Sequence, residues 1–370
     1  MSGSRAVLLA AGGTGGHLFP AESLAVALAR RNIPVELATD DRALKYGASF
    51  PARAIHTIPA ATPTGGSLLA KGRALLTLLR GTATARQLLR RIEPLCVVGF
   101  GGYPTVPPVL AATHLGIPSI LHEQNAVMGR ANRFMAGRVD RIATGFAQIG
   151  GVSDAIRQKA EHTGNPVRPA VLDAARLPYP GFDDRKLRLL VTGGSQGARV
   201  MSDIVPPAAE LLPPELRSRL VIVQQARGED EERVAAAYRR SGVSAEVAPF
   251  FPDLPARMAQ AHLVIARAGA STVSELAVVG RPSILVPFPF ALDQDQAANA
   301  AHLAETGAAQ VIRQAEFTPQ WLAARLTEAF SNPQGLTQRA EAAKSAGIPD
   351  AAERLADLVG RVAKIASPSE

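Results

Sequence analysis

Two stretches decide the fold: Arg5–Gly16, RAVLLAAGGTGG, and Arg188–Ala198, RLLVTGGSQGA. Each is a short apolar run that stops abruptly in glycines. A helix-length stretch follows each, starting at about Pro20 in the first case. An apolar run without polar alternation is the pattern of a strand buried on both faces, as in a parallel sheet. The glycines after it let a ligand approach the backbone, because glycine lacks a Cβ and tolerates positive φ. The two units read as the opening strand, loop and helix of two doubly wound α/β domains. Ligands are then expected at the carboxyl ends of the strands.

Outward from these units, apolar runs alternate with amphipathic stretches. Strands are expected at Ala6–Ala10, Val35–Ala38, Cys96–Gly99, Ser119–His122, Arg141–Ala143, Arg188–Thr192, Leu220–Gln224, Leu263–Ala266 and Ser283–Val286. The stretch Gly164–Pro169, GNPVRP, is hostile to helix and strand and marks a domain break. A loop-like segment, Leu177–Lys186, follows it, and a last helix at about Ala351–Ala366 suits either domain. In 370 residues, a 47% hydrophobic fraction supplies two cores, and 32 glycines with 28 prolines supply the turns. The lone cysteine, Cys96, sits in an apolar run and reads as a core thiol suited to a reducing compartment. No run reaches the ~18–20 apolar residues that span a bilayer. The run Ala6–Ala11 is too short for a signal-peptide core, so a cytosolic location is expected. A net charge of +8 suggests a polyanionic partner: nucleic acid, an anionic membrane or a phosphorylated ligand. Aromatics at 5% count against single-stranded nucleic acid, which is gripped by stacking.

Neither glycine loop ends in the Gly-Lys-Ser/Thr of a Walker loop, and neither fits G-x-G-x-x-G. Asp40 ends the second strand where a ribose-binding acid would sit, which keeps a dinucleotide-dependent oxidoreductase as an alternative. A third cluster, Gly99–Tyr103, follows the strand Cys96–Gly99, so three glycine loops line one rim. His17 closes the first loop. An imidazole with an ordinary pKa of ~6.5 can take a hydroxyl proton, or it can contact phosphate. Gly269–Glu275 lies between a strand and a helix at Val273–Val279. Glu275 is either a ribose acceptor or the closing member of a capping box, Thr272-x-x-Glu275. Asp293–Gln294–Asp295 mimics a D-x-D metal motif, read as coincidence because it runs into a helix. Ser67–Arg80, with Arg86, Arg90 and Arg91 beyond, is apolar and cationic at once. It suits either an anionic lipid surface or packing on the sheet.

Gly12–His17, Gly99–Tyr103 and Gly193–Ala198, joined by His122–Asn125, Gly164–Arg168 and Ala268–Glu275, resemble the motifs of the MurG family of glycosyltransferases. The resemblance spans essentially the whole chain in order. It implies an α/β GT-B architecture, with two Rossmann-like doubly wound parallel-sheet domains facing a cleft. Residues 1–165 would form an acceptor- and membrane-binding domain, joined by a C-terminal helix at 349–370. Residues 166–348 would bind UDP-GlcNAc. The implied reaction moves GlcNAc from UDP-GlcNAc to the 4-hydroxyl of MurNAc in lipid I, forming lipid II for peptidoglycan. The implied location is the cytoplasmic face of the plasma membrane. The implied partners are UDP-GlcNAc, lipid I and an anionic membrane surface, with no nucleic acid, cofactor or metal. By the same resemblance His17 is the base and Glu123 its rival. Thr14, Gly15, Gly16 and Tyr103 position the acceptor, and Asn125 orients the sugar. Ser195 and Arg168 meet the diphosphate. Ala270, Ser271, Thr272 and Glu275 hold phosphate and ribose, and Gln296 contacts the transferred sugar. Phe251 frames uracil or is a core aromatic; many relatives carry an aliphatic residue there, which leaves the uracil contact to the backbone. Asp295 departs from the uncharged or basic residues common at its position. Another GT-B enzyme of UDP-sugars, a 2-epimerase or a glycolipid transferase, is the alternative.

Overall fold

The computed structural model describes residues 5–12, 15–40, 50–61, 67–194, 197–291 and 294–365, with the backbone alone at 68–70. The chain divides into two compact units: Met1–Arg168 with Pro349–Glu370, and Pro169–Ile348.

The first unit holds β1 (Val7–Ala10), β2 (Val35–Thr39), β3 (Ala54–Thr57), β4 (Cys96–Gly99), β5 (Ser119–Glu123), β6 (Arg141–Thr144) and β7 (Ala160–His162). Their order is β3-β2-β1-β4-β5-β6-β7, and every neighbouring pair is parallel. The strands run one way from β1 and the other way from β4, so the order reverses between these two. In open α/β sheets that reversal opens a crevice at the carboxyl edge. β1 and β4 are buried throughout, Cys96 included. The helices Gly15–Arg30 and Ala351–Ala363 cover one face through Leu24, Leu28, Leu355, Leu358 and Val359. The helices Leu68–Ile92 and Val106–Leu115 cover the other through Leu88, Leu89 and Val109. The last helix is further tied down by Arg31, which pairs with Glu353 at 2.7 Å and Asp357 at 2.6 Å.

The second unit holds β8 (Leu187–Thr192), β9 (Leu220–Gln225), β10 (Ser244–Ala248), β11 (Leu263–Ala266), β12 (Ser283–Leu285) and β13 (Ala309–Val311). The order β10-β9-β8-β11-β12-β13 is again wholly parallel and reverses between β8 and β11. Its core joins Leu189, Val191, Ile222 and Ile265 of the sheet to Met201, Val205, Leu322 and Leu326 of the covering helices.

All nine expected strands are present. Four more, β3, β7, β10 and β13, lie at the sheet edges, and none of them is buried along its whole length. Two helices begin earlier than the sequence suggests. The first starts at Gly15 and contains Pro20, whose missing N–H forfeits only the bond to the Gly16 carbonyl. The other runs Ala270–Val279. No helix among the described residues is long and apolar enough to cross a membrane.

The second unit is locked by Arg281, a guanidinium only 1% exposed. It donates to the carbonyls of Met258, Ala259, Val279, Gly280 and Pro178. Met258 and Ala259 end one helix and Val279 ends another, so the cation meets the negative ends of two helix dipoles in place of a carboxylate. Arg281→Leu removes the buried donor from five carbonyls, of which that of Met258 keeps the Ala261 N–H. It is expected to cost on the order of 3 kcal/mol, read as a lower urea midpoint.

Candidate functional site

The loops that leave the strands at each reversal carry the residues of interest. In the first unit these are the loops after β1 and β4, with β5 beside them. Gly15, Gly16 and His17 form the first turn of the helix Gly15–Arg30, where the backbone N–H groups have no partners within the helix. Opposite them the chain turns at Gly101 and Gly102, with φ of 84° and 74°, a region that a side chain would strain. Side-chain carbons placed on these two glycines would lie 3.4 Å from the His17 ring. Burial pushes the His17 imidazole below its ordinary 6.5, against the opposing pull of the Phe100 carbonyl and the Gln124 side chain. Tyr103 follows at once, opening a short 3-10 turn, Tyr103–Thr105, and packing half-buried on the core. Thr14 lies outside the described residues.

Glu123, the last residue of β5, is 1% exposed. Its Oε1 accepts from the Asn125 N–H at 2.9 Å, and its Oε2 accepts from the Gly129 N–H at 3.0 Å and Asn132 Nδ2 at 2.8 Å. Burial raises its pKa against these donors. The carboxylate thus shapes the loop 124–129 and holds Asn125 in place. Behind it, Asn165 donates to the Gln124 carbonyl at 2.9 Å, so the motif Gly164–Arg168 forms the back wall of the motif His122–Asn125. Arg168 ends this wall with its guanidinium over the Phe19 ring, 4.6 Å from the centroid. It also opposes the upward, burial-driven shift of the Glu22 pKa.

In the second unit the loop after β8 closes so tightly at Gly193 that a Cβ there would lie 2.2 Å from the Ala198 nitrogen. Gln225 braces this loop. Its Oε1 accepts from Thr192 Oγ1 at 2.9 Å and the Gly193 N–H at 3.2 Å. Ser195 lies outside the described residues. After β11, Gly269 is the cap residue of the helix Ala270–Val279 and no side chain caps it. Ala270, Ser271 and Thr272 are therefore its first three residues, with N–H groups unused by the helix. The capping-box alternative for Glu275 is overturned: Thr272 lies inside the helix, and Glu275 sits in its second turn, 7% exposed.

Gln296, at the start of the helix Asp295–Glu305, accepts through Oε1 from the Ala268 N–H at 3.2 Å and the Phe288 N–H at 3.0 Å. It stitches the loop after β11 to the loop after β12. Phe251 is a packed aromatic, 6% exposed, with the Arg257 guanidinium 4.4 Å from its ring centroid. The open ring of the pair is Phe250, 71% exposed.

The expected residues thus fall into two sets. Gly15, Gly16, His17, Tyr103, Glu123, Asn125 and Arg168 belong to the first unit, and Phe251, Ala270, Ser271, Thr272, Glu275 and Gln296 to the second. Sequence reasoning missed Gln124, Asn132 and Arg267. Arg267 donates to the Val286 and Pro287 carbonyls and to Gln314, fixing the same loop as Gln296. Its signal was an arginine between an apolar strand and a glycine. For Gln124 it was a run of polar residues closing a buried strand. Asn132 sits in a separate helix, Arg130–Ala136, and carries no local signal.

Residues 7–144 match the glycosyltransferase family 28 N-terminal domain, and residues 188–355 the glycosyltransferase family 28 C-terminal domain. A UDP-N-acetylglucosamine–N-acetylmuramyl-(pentapeptide) pyrophosphoryl-undecaprenol N-acetylglucosamine transferase from Methylobacterium nodulans is 61% identical over 364 residues, 98% of each chain. The protein of the same name from Brucella canis is 56% identical over 358 residues, 96% of this chain and 94% of the relative. Among solved structures, MurG of Acinetobacter baumannii aligns with a TM-score of 0.79 at 30% identity, covering 96% of this chain and 99% of its own. A putative UDP-N-acetylglucosamine 2-epimerase from Listeria monocytogenes, at 14% identity, 99% coverage of each chain and a TM-score of 0.69, shares the fold alone. With paired glycine loops at the reversal of each sheet and both family domains in order, the chain belongs to glycosyltransferase family 28, as a MurG-type enzyme of the GT-B fold.

Proposed function

We propose that this glycosyltransferase moves GlcNAc from UDP-GlcNAc to the 4-hydroxyl of the N-acetylmuramyl sugar of lipid I, giving lipid II for peptidoglycan. The 61% identity over nearly the full chain to a transferase of that name carries the substrate assignment. The second unit takes the nucleotide sugar. Ser195 and the first-turn N–H groups of Ala270, Ser271 and Thr272 meet the diphosphate, where the helix dipole favours negative charge. Glu275 accepts from the ribose hydroxyls, the backbone at Phe251 frames the base, and the amide NH2 of Gln296 faces the transferred sugar.

The first unit takes the acceptor, positioned by Thr14, Gly15, Gly16, Tyr103 and Asn125. The acceptor hydroxyl attacks C1 in one in-line displacement, His17 takes its proton, and UDP leaves with inversion to a β-1,4 link. Charge developing on the leaving diphosphate is met by the N–H groups and by Arg168. Glu123 acts as the brace of the Asn125 loop, because its oxygens are already engaged by three donors.

The lipid-linked acceptor calls for a membrane face, at the cytoplasmic side of the plasma membrane. The helix Leu68–Ile92 carries Leu75, Leu76 and Leu79 at 58%, 49% and 60% exposure, among the exposed cations Lys71, Arg73 and Arg80. Its Ala85, Leu88 and Leu89 are core, so packing and lipid contact divide the helix between them. An exposed apolar strip ringed by cations fits an anionic headgroup layer.

Transfer of labelled GlcNAc to a lipid I analogue tests the reading; UDP-ManNAc formed without acceptor would favour the epimerase. His17→Ala is expected to cut turnover by ~10²–10⁴-fold while calorimetric UDP binding persists. Because burial lowers the His17 pKa, the neutral base persists to lower pH, and the acidic limb of kcat/KM is expected below 6.5. Glu275→Ala is expected to weaken UDP binding by roughly 10-fold or more, the worth of a charge-assisted hydrogen bond. Neutralising Lys71, Arg73 and Arg80 together should release the protein from anionic vesicles in a flotation assay; undiminished binding would refute the membrane face.

A further inference from the structure

A chain of hydrogen bonds runs behind His17 and ends on it. His122 Nε2 lies 3.3 Å from the Gly164 carbonyl, which can only accept. The proton of His122 therefore sits on Nε2, and Nδ1 carries the lone pair. Burial pushes this ring down to about 4, so it stays neutral. The Gln124 Nε2 amide donates to that Nδ1 at 3.1 Å and to the Phe100 carbonyl at 2.8 Å. Both amide hydrogens are thus committed, and the orientation of the carboxamide is settled by its two acceptors. Its Oε1 then faces the Gly101 turn. A side-chain carbon placed on Gly101 would lie 3.5 Å from this oxygen and 3.4 Å from His17 Cε1. His17 Nδ1 is itself buried, with no hydrogen bond in this conformation. The groups that act on the ring are the Gln124 side chain and the Phe100 carbonyl, and the Gln124 oxygen shares the space at Gly101 with the Cε1 edge of the ring. The other ring nitrogen, Nε2, faces Gly102, where a side-chain carbon would come within 3.4 Å.

We propose that Gln124 is a positioning residue for the transfer reaction: its carboxamide oxygen accepts a hydrogen bond from the His17 Nδ1–H, and so keeps the lone pair on Nε2, the nitrogen at the glycine turn. Both groups that act on the ring are acceptors, so the opposite tautomer would leave the buried Nδ1 lone pair with no donor to meet it. The inference rests on the reading of His17 as the base. It adds how a neutral imidazole is held with the correct nitrogen bare. Among the described ionisable groups of the neighbouring elements, His122 acts on His17 from behind the amide, Asp40 lies beside Gly12 of the first loop, and Glu22, facing Arg168, lies further along the His17 helix. None of them takes the place of the amide at Nδ1.

The test reads the tautomer directly. Long-range proton–nitrogen spectra of the full chain, with His17 assigned by its loss in His17→Gln, should show a protonated Nδ1 and a bare Nε2. A protonated Nε2 in the neutral wild-type ring would overturn the proposal. Gln124→Leu removes the acceptor and is expected to lower kcat by roughly 10-fold or more, part of the ~10²–10⁴ that a base supplies. UDP binding by calorimetry reports whether that variant is folded. Gln124→Glu keeps an oxygen beside Nδ1 and adds charge, so the acidic limb of kcat/KM should move about one unit to higher pH. An unmoved limb in a folded Gln124→Glu, or an unchanged tautomer in a folded Gln124→Leu, would also overturn it. If His17→Ala keeps normal turnover while the wild-type tautomer is as stated, the base reading fails and the hydrogen-bond chain stands.

Discussion

A diphosphate can be gripped by main chain only where N–H groups lack carbonyl partners and no Cβ stands in the way. The rest of this molecule is arranged around that constraint. Parallel pairing sends every strand out of the sheet at the same edge, and the reversal of strand order leaves two neighbouring loops free to diverge there. In the first unit these follow β1 and β4, in the second β8 and β11. Each loop is short and glycine-bearing because anything bulkier would fill the space or strain the turn, as at Gly193 and Gly102.

Holding loops open in this way creates a second need. Their backbone is irregular and partly buried, so its polar groups need partners that no ladder supplies. Buried polar side chains take that place. Glu123 gathers the loop 124–129, Asn165 backs the Gln124 carbonyl, and Gln225 braces the β8 loop. In the second unit, Arg267 and Gln296 do the same for the loop after β12. Each is a costly group to bury alone and a rigid one when fully bonded. The result is that these loops are held in place by side chains where no ladder holds them.

The central strands were legible because burial on both faces leaves an unbroken apolar run. The four strands that escaped notice, β3, β7, β10 and β13, are the sheet edges. Half-exposed and carrying His56, Glu161, Glu246 or Gln310, they lose that signal. The loops were legible because clustered glycines have few other uses. Helix starts were misjudged where the usual markers deceive: Pro20 stands inside a helix, and Thr272 mimics a cap it does not form. Side-chain identity alone also failed to separate roles within one motif. Glu123 and Gln124 are neighbours with similar shapes, yet only the hydrogen bonds show one bracing a loop and the other facing an imidazole.

The C-terminal helix Ala351–Ala363 belongs to the core that contains β1, the first strand of the chain. The second unit is therefore an insertion, contiguous in sequence, within a first unit made of two separated pieces. Growth on the ribosome follows that order. The inserted unit has all its parts in hand while its host still lacks the helix that covers Leu9 and Leu28. The inserted unit can ripen first, and its host is completed only once the helix Ala351–Ala363 has emerged.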